Sequence, residues 1–260
     1  MRRKSPPCPA DIPPIRGDTA EPRGVSLPTN QGDHRMSKSI LTPTALILIM
    51  LLSATVFAQT PGHEIVNGAY WQHKTSQFRT LPNPEGEICF LGDSITDGCE
   101  WRELTGCPQV TNRGISADTT WGVLTRLDEV TEGKPAKIFL MIGTNDLAWG
   151  GADVQTVHDN IAKIIDRVKN ESPDTEFYLQ SIFPVTDDMR DDAFDNADIN
   201  EINPMLEKLA AAKNVTWVDV ASSLKDENGQ LKRELTNDGL HLRGEAYYLW
   251  WSVVRKHFGR

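Results

Sequence analysis

The stretch Ile88-Cys89-Phe90-Leu91-Gly92-Asp93-Ser94 decides the fold. Its four apolar residues form too short a run for a helix and read as a strand buried on both faces. Gly92 lets the backbone turn sharply off that strand, and Asp93 and Ser94 are residue types that open helices. Working outward, four further runs have strand character: a weak one at Gln109–Asn112, then Lys137–Ile142, Glu176–Gln180 and Thr216–Val220. Between them lie stretches with helical spacing at 119–129, 153–171 and 197–213, and a last one at 244–258. In the second, Val154, Val157, Ile161, Ile164, Ile165 and Val168 fall on one face. An amphipathic stretch, Tyr70–Arg79, precedes the first strand. Strands alternating with helices predict an α/β fold, a three-layer α/β/α sandwich around a parallel sheet of about five strands.

In open sheets of this kind, sites form outside the carboxyl ends of the strands. Four short blocks fall there: Gly92-Asp93-Ser94, Asn112-Arg113-Gly114, Gly143-Thr144-Asn145-Asp146 and Asp238-Gly239-Leu240-His241. Each has an ordinary structural explanation. Ser94 suits a helix cap, Gly114 a tight turn, Asn145 a left-handed turn, and Asn237-Asp238-Gly239 an exposed turn. Brought to one sheet edge, they supply a nucleophile, an acid–base pair and oxyanion donors. Ser94 is the candidate nucleophile, His241 the proton carrier, and Asp238 the carboxylate that orients the imidazole. Of the other histidines after residue 58 (His63, His73, His158, His257), none follows a strand. No Gly-Lys-Ser/Thr follows the first block, which disfavours a phosphate-cradling loop. No closely spaced His/Cys ligand set supports a metal, and the chemistry calls for no cofactor.

From about Ile88 to Phe258 the chain resembles the SGNH hydrolases, the GDSL-type esterase and lipase superfamily, named for the Ser, Gly, Asn and His of these blocks. The resemblance implies a flavodoxin-like fold, a Ser94–His241–Asp238 triad, and an oxyanion site formed by the backbone N–H groups of Ser94 and Gly114 with the Asn145 amide. The first block departs from the family's Gly-Asp-Ser-Leu by continuing Ile95-Thr96-Asp97-Gly98. With Gly143-Thr144-Asn145-Asp146, it is more similar to the compact branch of platelet-activating-factor-acetylhydrolase-like and carbohydrate O-acetylesterase proteins. The chemistry survives this departure, and the inference to long-chain lipase activity weakens.

No additional apolar lid segment is evident, which favours a short acyl group such as acetyl. Trp101, Trp121 and Trp149 each follow a catalytic block by a few residues. At least one is expected at the rim, where it would stack on a sugar; ordinary packing is the alternative, above all for Trp121 on a helix. Arg102 or Arg113 is a candidate for binding a substrate carboxylate, Arg113 equally a structural residue. The leading expectation is therefore a serine esterase acting on O-acetyl groups of a glycan. A lysophospholipase or thioesterase, distinguished by chain-length preference, and a catalytically silent glycan-binding domain are the alternatives.

Residues 1–35 hold seven of the sixteen prolines and no aromatic residue, a composition that cannot offset the entropy of ordering. This stretch is expected to be disordered and to lie upstream of the true start at Met36. Met36-Ser37-Lys38, the apolar run Ala45–Phe57 and Val56-Phe57-Ala58 form a secretory signal pattern over 36–58. The clean apolar run falls short of the roughly 20 residues a spanning helix needs, so cleavage after Ala58 is favoured over an anchor. Residues 59–85 then form an arm and helix ahead of a hydrolase domain at 86–260, secreted or periplasmic. Residues 59–260 carry 20 Lys/Arg against 32 Asp/Glu, a net charge of −12. Such a surface repels nucleic acid and anionic lipid and leaves a small-molecule or glycan ester as partner. Cys89 reads as a buried thiol. Cys99 and Cys107, eight residues apart, are as consistent with a disulfide as with two thiols.

Overall fold

The computed structural model describes Val66 and residues 68–190 and 194–259. The expected disordered stretch and signal sequence lie outside these residues. Five strands form one parallel sheet: β1 (Ile88–Gly92), β2 (Val110–Gly114), β3 (Lys137–Met141), β4 (Glu176–Gln180) and β5 (Thr216–Val218), in the order β2-β1-β3-β4-β5. The chain steps outward from β1 to β2, then returns to the other side of β1 for β3. The crevice where the order reverses lies at the carboxyl ends of β1 and β3, where the loops diverge and leave room for a ligand.

The longer helices are α1 (Ala69–Thr80), α4 (Thr120–Thr131), α6 (Val154–Glu171), α7 (Asn196–Ala212) and α9 (Gly244–Val254). Single-turn helices fill the strand ends: α2 (Ser94–Asp97), α3 (Trp101–Thr105), α5 (Thr144–Ala148) and α8 (Ala221–Leu224). Side-chain alternation separates two layers. On one face Phe90, Phe139 and Tyr178 stand in register, and each ring stacks on the next at 5.1 and 4.5 Å. α3 and α9 cover them: Trp101 stacks on Phe90 at 3.7 Å and meets Trp250 edge-on at 4.7 Å. The apolar faces of α4, α6 and α7, which pack side by side, bury Val123, Leu127, Ile161, Ile164, Ile165 and Leu206.

This packing corrects two expectations. Trp101 is 1 % exposed and belongs to the core, not to any rim. Cys99 carries a free, buried thiol, so the Cys99–Cys107 disulfide is not formed.

Candidate active site

Ser94 begins α2 directly after β1. Gly92 is required there because a Cβ would lie 2.3 Å from the Met141 carbonyl oxygen and 2.3 Å from Thr96 Oγ1. Asp93 caps the turn, its Oδ1 accepting from the Ile95 N–H at 3.0 Å. The second half of the site sits on a loop closed by an antiparallel bridge between Thr236 and Leu242. Inside it, Thr236 Oγ1 accepts the N–H groups of Asp238 and Gly239 at 3.3 and 3.0 Å. The Gly239 carbonyl accepts from Thr186 N–H at 2.8 Å, which ties the loop to the segment after β4.

His241 Nδ1 lies 2.6 Å from Asp238 Oδ2, and His241 Nε2 lies 2.9 Å from Ser94 Oγ. Asp238 Oδ1 accepts the backbone N–H groups of Leu240 and His241 at 3.0 and 2.8 Å. Burial pushes the Asp238 carboxyl up, but the His241 side chain and these two N–H groups outweigh it and hold the pKa at about 2. An ionised carboxylate thus faces one ring nitrogen while the other faces a hydroxyl. That is the arrangement by which an imidazole removes a serine proton and returns it to a leaving alcohol.

Gly114 does not sit where the resemblance implied. Its N–H is already committed, donating to Asn112 Oδ1 at 2.9 Å. The physical need for glycine is close packing: a Cβ here would lie 2.2 Å from the Asp97 nitrogen. Ser116 and Ala117, farther along the same loop, line the cleft in its place. Ala117 has φ +67°, a left-handed conformation, and its N–H has no protein acceptor among the described residues. No glycine marks this position, so the sequence carried no signal for it. Asn145 sits at the start of α5 and donates one amide N–H to the Asp118 carbonyl at 2.9 Å. That bond uses one of the amide's two N–H groups.

A buried polar network, not foreseen from the sequence, fixes these loops. Arg126 on α4 is fully buried and pairs with Asp118 at 2.8 Å and Glu129 at 3.1 Å. It also donates to the carbonyls of Gly92 at 3.3 Å and Arg113 at 2.8 Å, clamping the ends of β1 and β2 together. Arg113 is structural: it is 7 % exposed, pairs with Glu87 and Glu129, and donates to Asn83 at 2.6 Å. Asp146 accepts from Thr120 N–H at 2.9 Å and Thr120 Oγ1 at 2.5 Å.

Burial raises the carboxyls of Asp93 and Asp146 to about 7, with Asp118 adding like charge to both. Their pKa values in the unfolded chain lie near 3.8, so the folded state binds more protons across the interval between. The stabilising contribution is full below about pH 4 and disappears as pH rises through 7. Tm is expected to be higher at pH 5.5 than at 8.5, and Asp93→Asn to narrow that difference. Thermal unfolding of both proteins at the two pH values tests this. Equal differences in the two proteins would remove Asp93 as the cause.

The cleft in front of Ser94 and His241 encloses about 790 Å³. Its aromatic walls are Tyr70, Trp71 and Tyr247. The tryptophans expected at the rim are elsewhere: Trp121 lines a separate hollow with Leu124 and Lys163, and Trp149, half exposed, is outside the cleft lining. Arg102 also faces another depression, where it donates to the Val110 carbonyl at 3.4 Å. The short α3 turns Trp101 inward and leaves Arg102 on the far side.

Residues 90–249 match the family model described as GDSL-like Lipase/Acylhydrolase. The chain belongs to the GDSL-like lipase/acylhydrolase family. It is a carboxylic ester hydrolase of the SGNH superfamily. It is 27 % identical over 184 residues to the platelet-activating factor acetylhydrolase IB subunit alpha2 of Gallus gallus, covering 68 % of this chain and 78 % of that one. A Streptococcus pneumoniae structure named for platelet activating factor is 33 % identical, with TM-score 0.67 over 73 % of this chain and 92 % of that one. A variant of a Geobacillus acetyl-xylooligosaccharide esterase shares the fold at 18 % identity and TM-score 0.56, covering 67 % and 94 %.

Proposed function

We propose that this hydrolase is an exported serine esterase that removes short acyl groups, acetyl foremost, from carbohydrate hydroxyls. The observation that carries the reading is the continuous Asp238–His241–Ser94 chain of contacts at 2.6 and 2.9 Å, opening on a cleft with aromatic walls. Ser94 Oγ attacks the ester carbonyl carbon as His241 Nε2 takes its proton. The negative charge on the carbonyl oxygen is met by the N–H groups of Ser94 and Ala117 and by the Asn145 amide. Collapse breaks the ester bond, and His241 returns the proton to the departing alcohol. Water, deprotonated by the same imidazole, then releases the acyl group from Ser94. Asp238 remains ionised throughout and holds the ring in the tautomer that presents a bare Nε2 to Ser94.

Two relatives act, by their names, on acetyl esters, one on platelet-activating factor and one on xylooligosaccharides. Their shared acyl group supports acetyl here. The signal pattern at 36–58 supports export to the periplasm or beyond, where glycan esters are met. A lipid ester is the second reading, favoured by the platelet-activating factor relatives.

Hydrolysis of p-nitrophenyl esters from acetate to dodecanoate tests the proposal. A peak at acetate supports it, and a peak at long chains supports the lipid reading. Asn145→Ala is expected to lower kcat by about 100- to 1,000-fold, the effect of losing one oxyanion donor. A loss below tenfold would remove Asn145 from that role.

A further inference from the structure

The cleft wall opposite the catalytic loops comes from α1, which lies ahead of the family-matched residues 90–249. Tyr70 on this helix is half exposed, and its ring lines the cleft. A single exposed aromatic is ordinary on a protein surface, but this one is held in place. Its hydroxyl donates to Asp97 Oδ2 at 2.6 Å, while Lys74 Nζ pairs with Asp97 Oδ1 at 2.6 Å. Asp97 is the last residue of the helical turn that begins with Ser94, so the ring is positioned relative to the nucleophile. The neighbouring Trp71 is buried and donates its indole N–H to Asp118 Oδ1 at 3.1 Å, which anchors α1 to the loop carrying Ala117.

Charge narrows what this wall can meet. Among the described residues no Lys or Arg lines the cleft, and its one carboxylate besides the triad, Asp97, is already paired with Lys74. The ammonium beside this wall, Lys74 Nζ at 5.9 Å from the Tyr70 ring centroid, is already held by Asp97, so an anionic headgroup or a sugar acid would have to compete with that ion pair. With its hydroxyl donating to Asp97, what Tyr70 offers a ligand is its ring face. A rigid pyranose ring can lay its C–H face on such a surface with little loss of conformational freedom, whereas a flexible acyl chain must be ordered to do so.

We propose that Tyr70 is a specificity-determining residue, the platform on which a neutral pyranose ring of the substrate's alcohol stacks beside Ser94. This rests on the esterase reading and names its substrate class: acetylated neutral glycans. Lys74 and Asp97 act through Tyr70 and are positioning residues.

The test uses the full chain with Ser94→Ala, so that binding is read without turnover, and a monoacetylated methyl xyloside as probe. Titration calorimetry is expected to show about tenfold weaker binding when Tyr70→Ala is added, the scale of one aromatic stacking contact, with Tyr70→Trp restoring most of it. O-acetylated N-acetylneuraminic acid, which carries a carboxylate, is expected to bind at least tenfold more weakly than the xyloside. In a Ser94 background, the ratio of kcat/KM for the acetylated xyloside to that for ethyl acetate should fall about tenfold with Tyr70→Ala. A purely structural role would lower both rates together and leave the ratio unchanged. Absent xyloside binding, binding indifferent to Tyr70, an unchanged ratio, or tighter binding of the acidic sugar would each overturn the proposal. Tyr70-dependent binding without any Ser94-dependent hydrolysis would instead sink the esterase reading and leave the platform standing.

Discussion

Replacing Ser94 with alanine is expected to lower ester hydrolysis about 10⁴-fold or more, because it removes the hydroxyl that the His241 imidazole activates. The Ser94 hydroxyl contacts His241 Nε2 at 2.9 Å. The turn that carries it is held by other means: the Asp93 cap on Ile95, the tight passage at Gly92, and the Arg126 bond to the Gly92 carbonyl. Alanine should therefore leave the fold and Tm nearly unchanged while removing the nucleophile. The measurement is p-nitrophenyl acetate hydrolysis by the two proteins, with thermal unfolding beside it. Residual activity above about one per cent would mean that Ser94 is not the nucleophile, since a surviving oxyanion site and bound water accelerate the reaction far less than the intact set.

The sheet was legible because buried parallel strands leave an uninterrupted apolar signature. Ile88–Leu91 and Lys137–Ile142 identify β1 and β3 to within a residue, and the placement of Ser94 and Asn145 beyond their carboxyl ends follows from the topology. The long face of α6 was legible for a similar reason: six apolar residues repeat at helical spacing. The single-turn helices were not, because four or five residues cannot establish a period. That gap had consequences for the site. Trp101 and Arg102 are adjacent in sequence and follow the nucleophile closely, yet α3 sends one under Phe90 and the other into a different depression. Proximity in sequence to a catalytic block fixes a neighbourhood, while the direction of a side chain depends on the turn that carries it.

The second block shows the same limit at the level of one peptide group. Asn112-Arg113-Gly114 draws attention as a motif, but Gly114 serves contact between β2 and α2, and Arg113 joins Glu87 and Glu129. The residue of this loop that lines the cleft with a left-handed backbone is Ala117, and the neighbouring Asp118 is held by tertiary bonds: Trp71 and Arg126 on its side chain, Asn145 on its carbonyl. Those partners lie on α1, α4 and α5, and no local pattern joins them.

Asp238→Asn is expected to lower kcat by about 10⁴-fold with little change in structure, because it reverses the imidazole rather than displacing it. The asparagine oxygen can still accept the backbone N–H groups of Leu240 and His241, which define the loop at 3.0 and 2.8 Å. Its NH₂ would then stand where Asp238 Oδ2 now faces His241 Nδ1 at 2.6 Å. Two donors cannot share that contact, so the ring moves its proton to Nε2 and presents an N–H to Ser94 where a base is needed. The same substitution removes a carboxylate whose folded pKa of about 2 lies below its ordinary 3.8, so its share of stability is present above pH 4 and disappears as pH falls through 2. Acid unfolding should therefore be less steep in the variant over that interval. Combining Asp238→Asn with Ser94→Ala discriminates further: parts of one relay fail together, so the double variant should be no slower than Ser94→Ala alone. A double variant slower by the product of the two single effects would mean that Asp238 acts outside the Ser94–His241 pair.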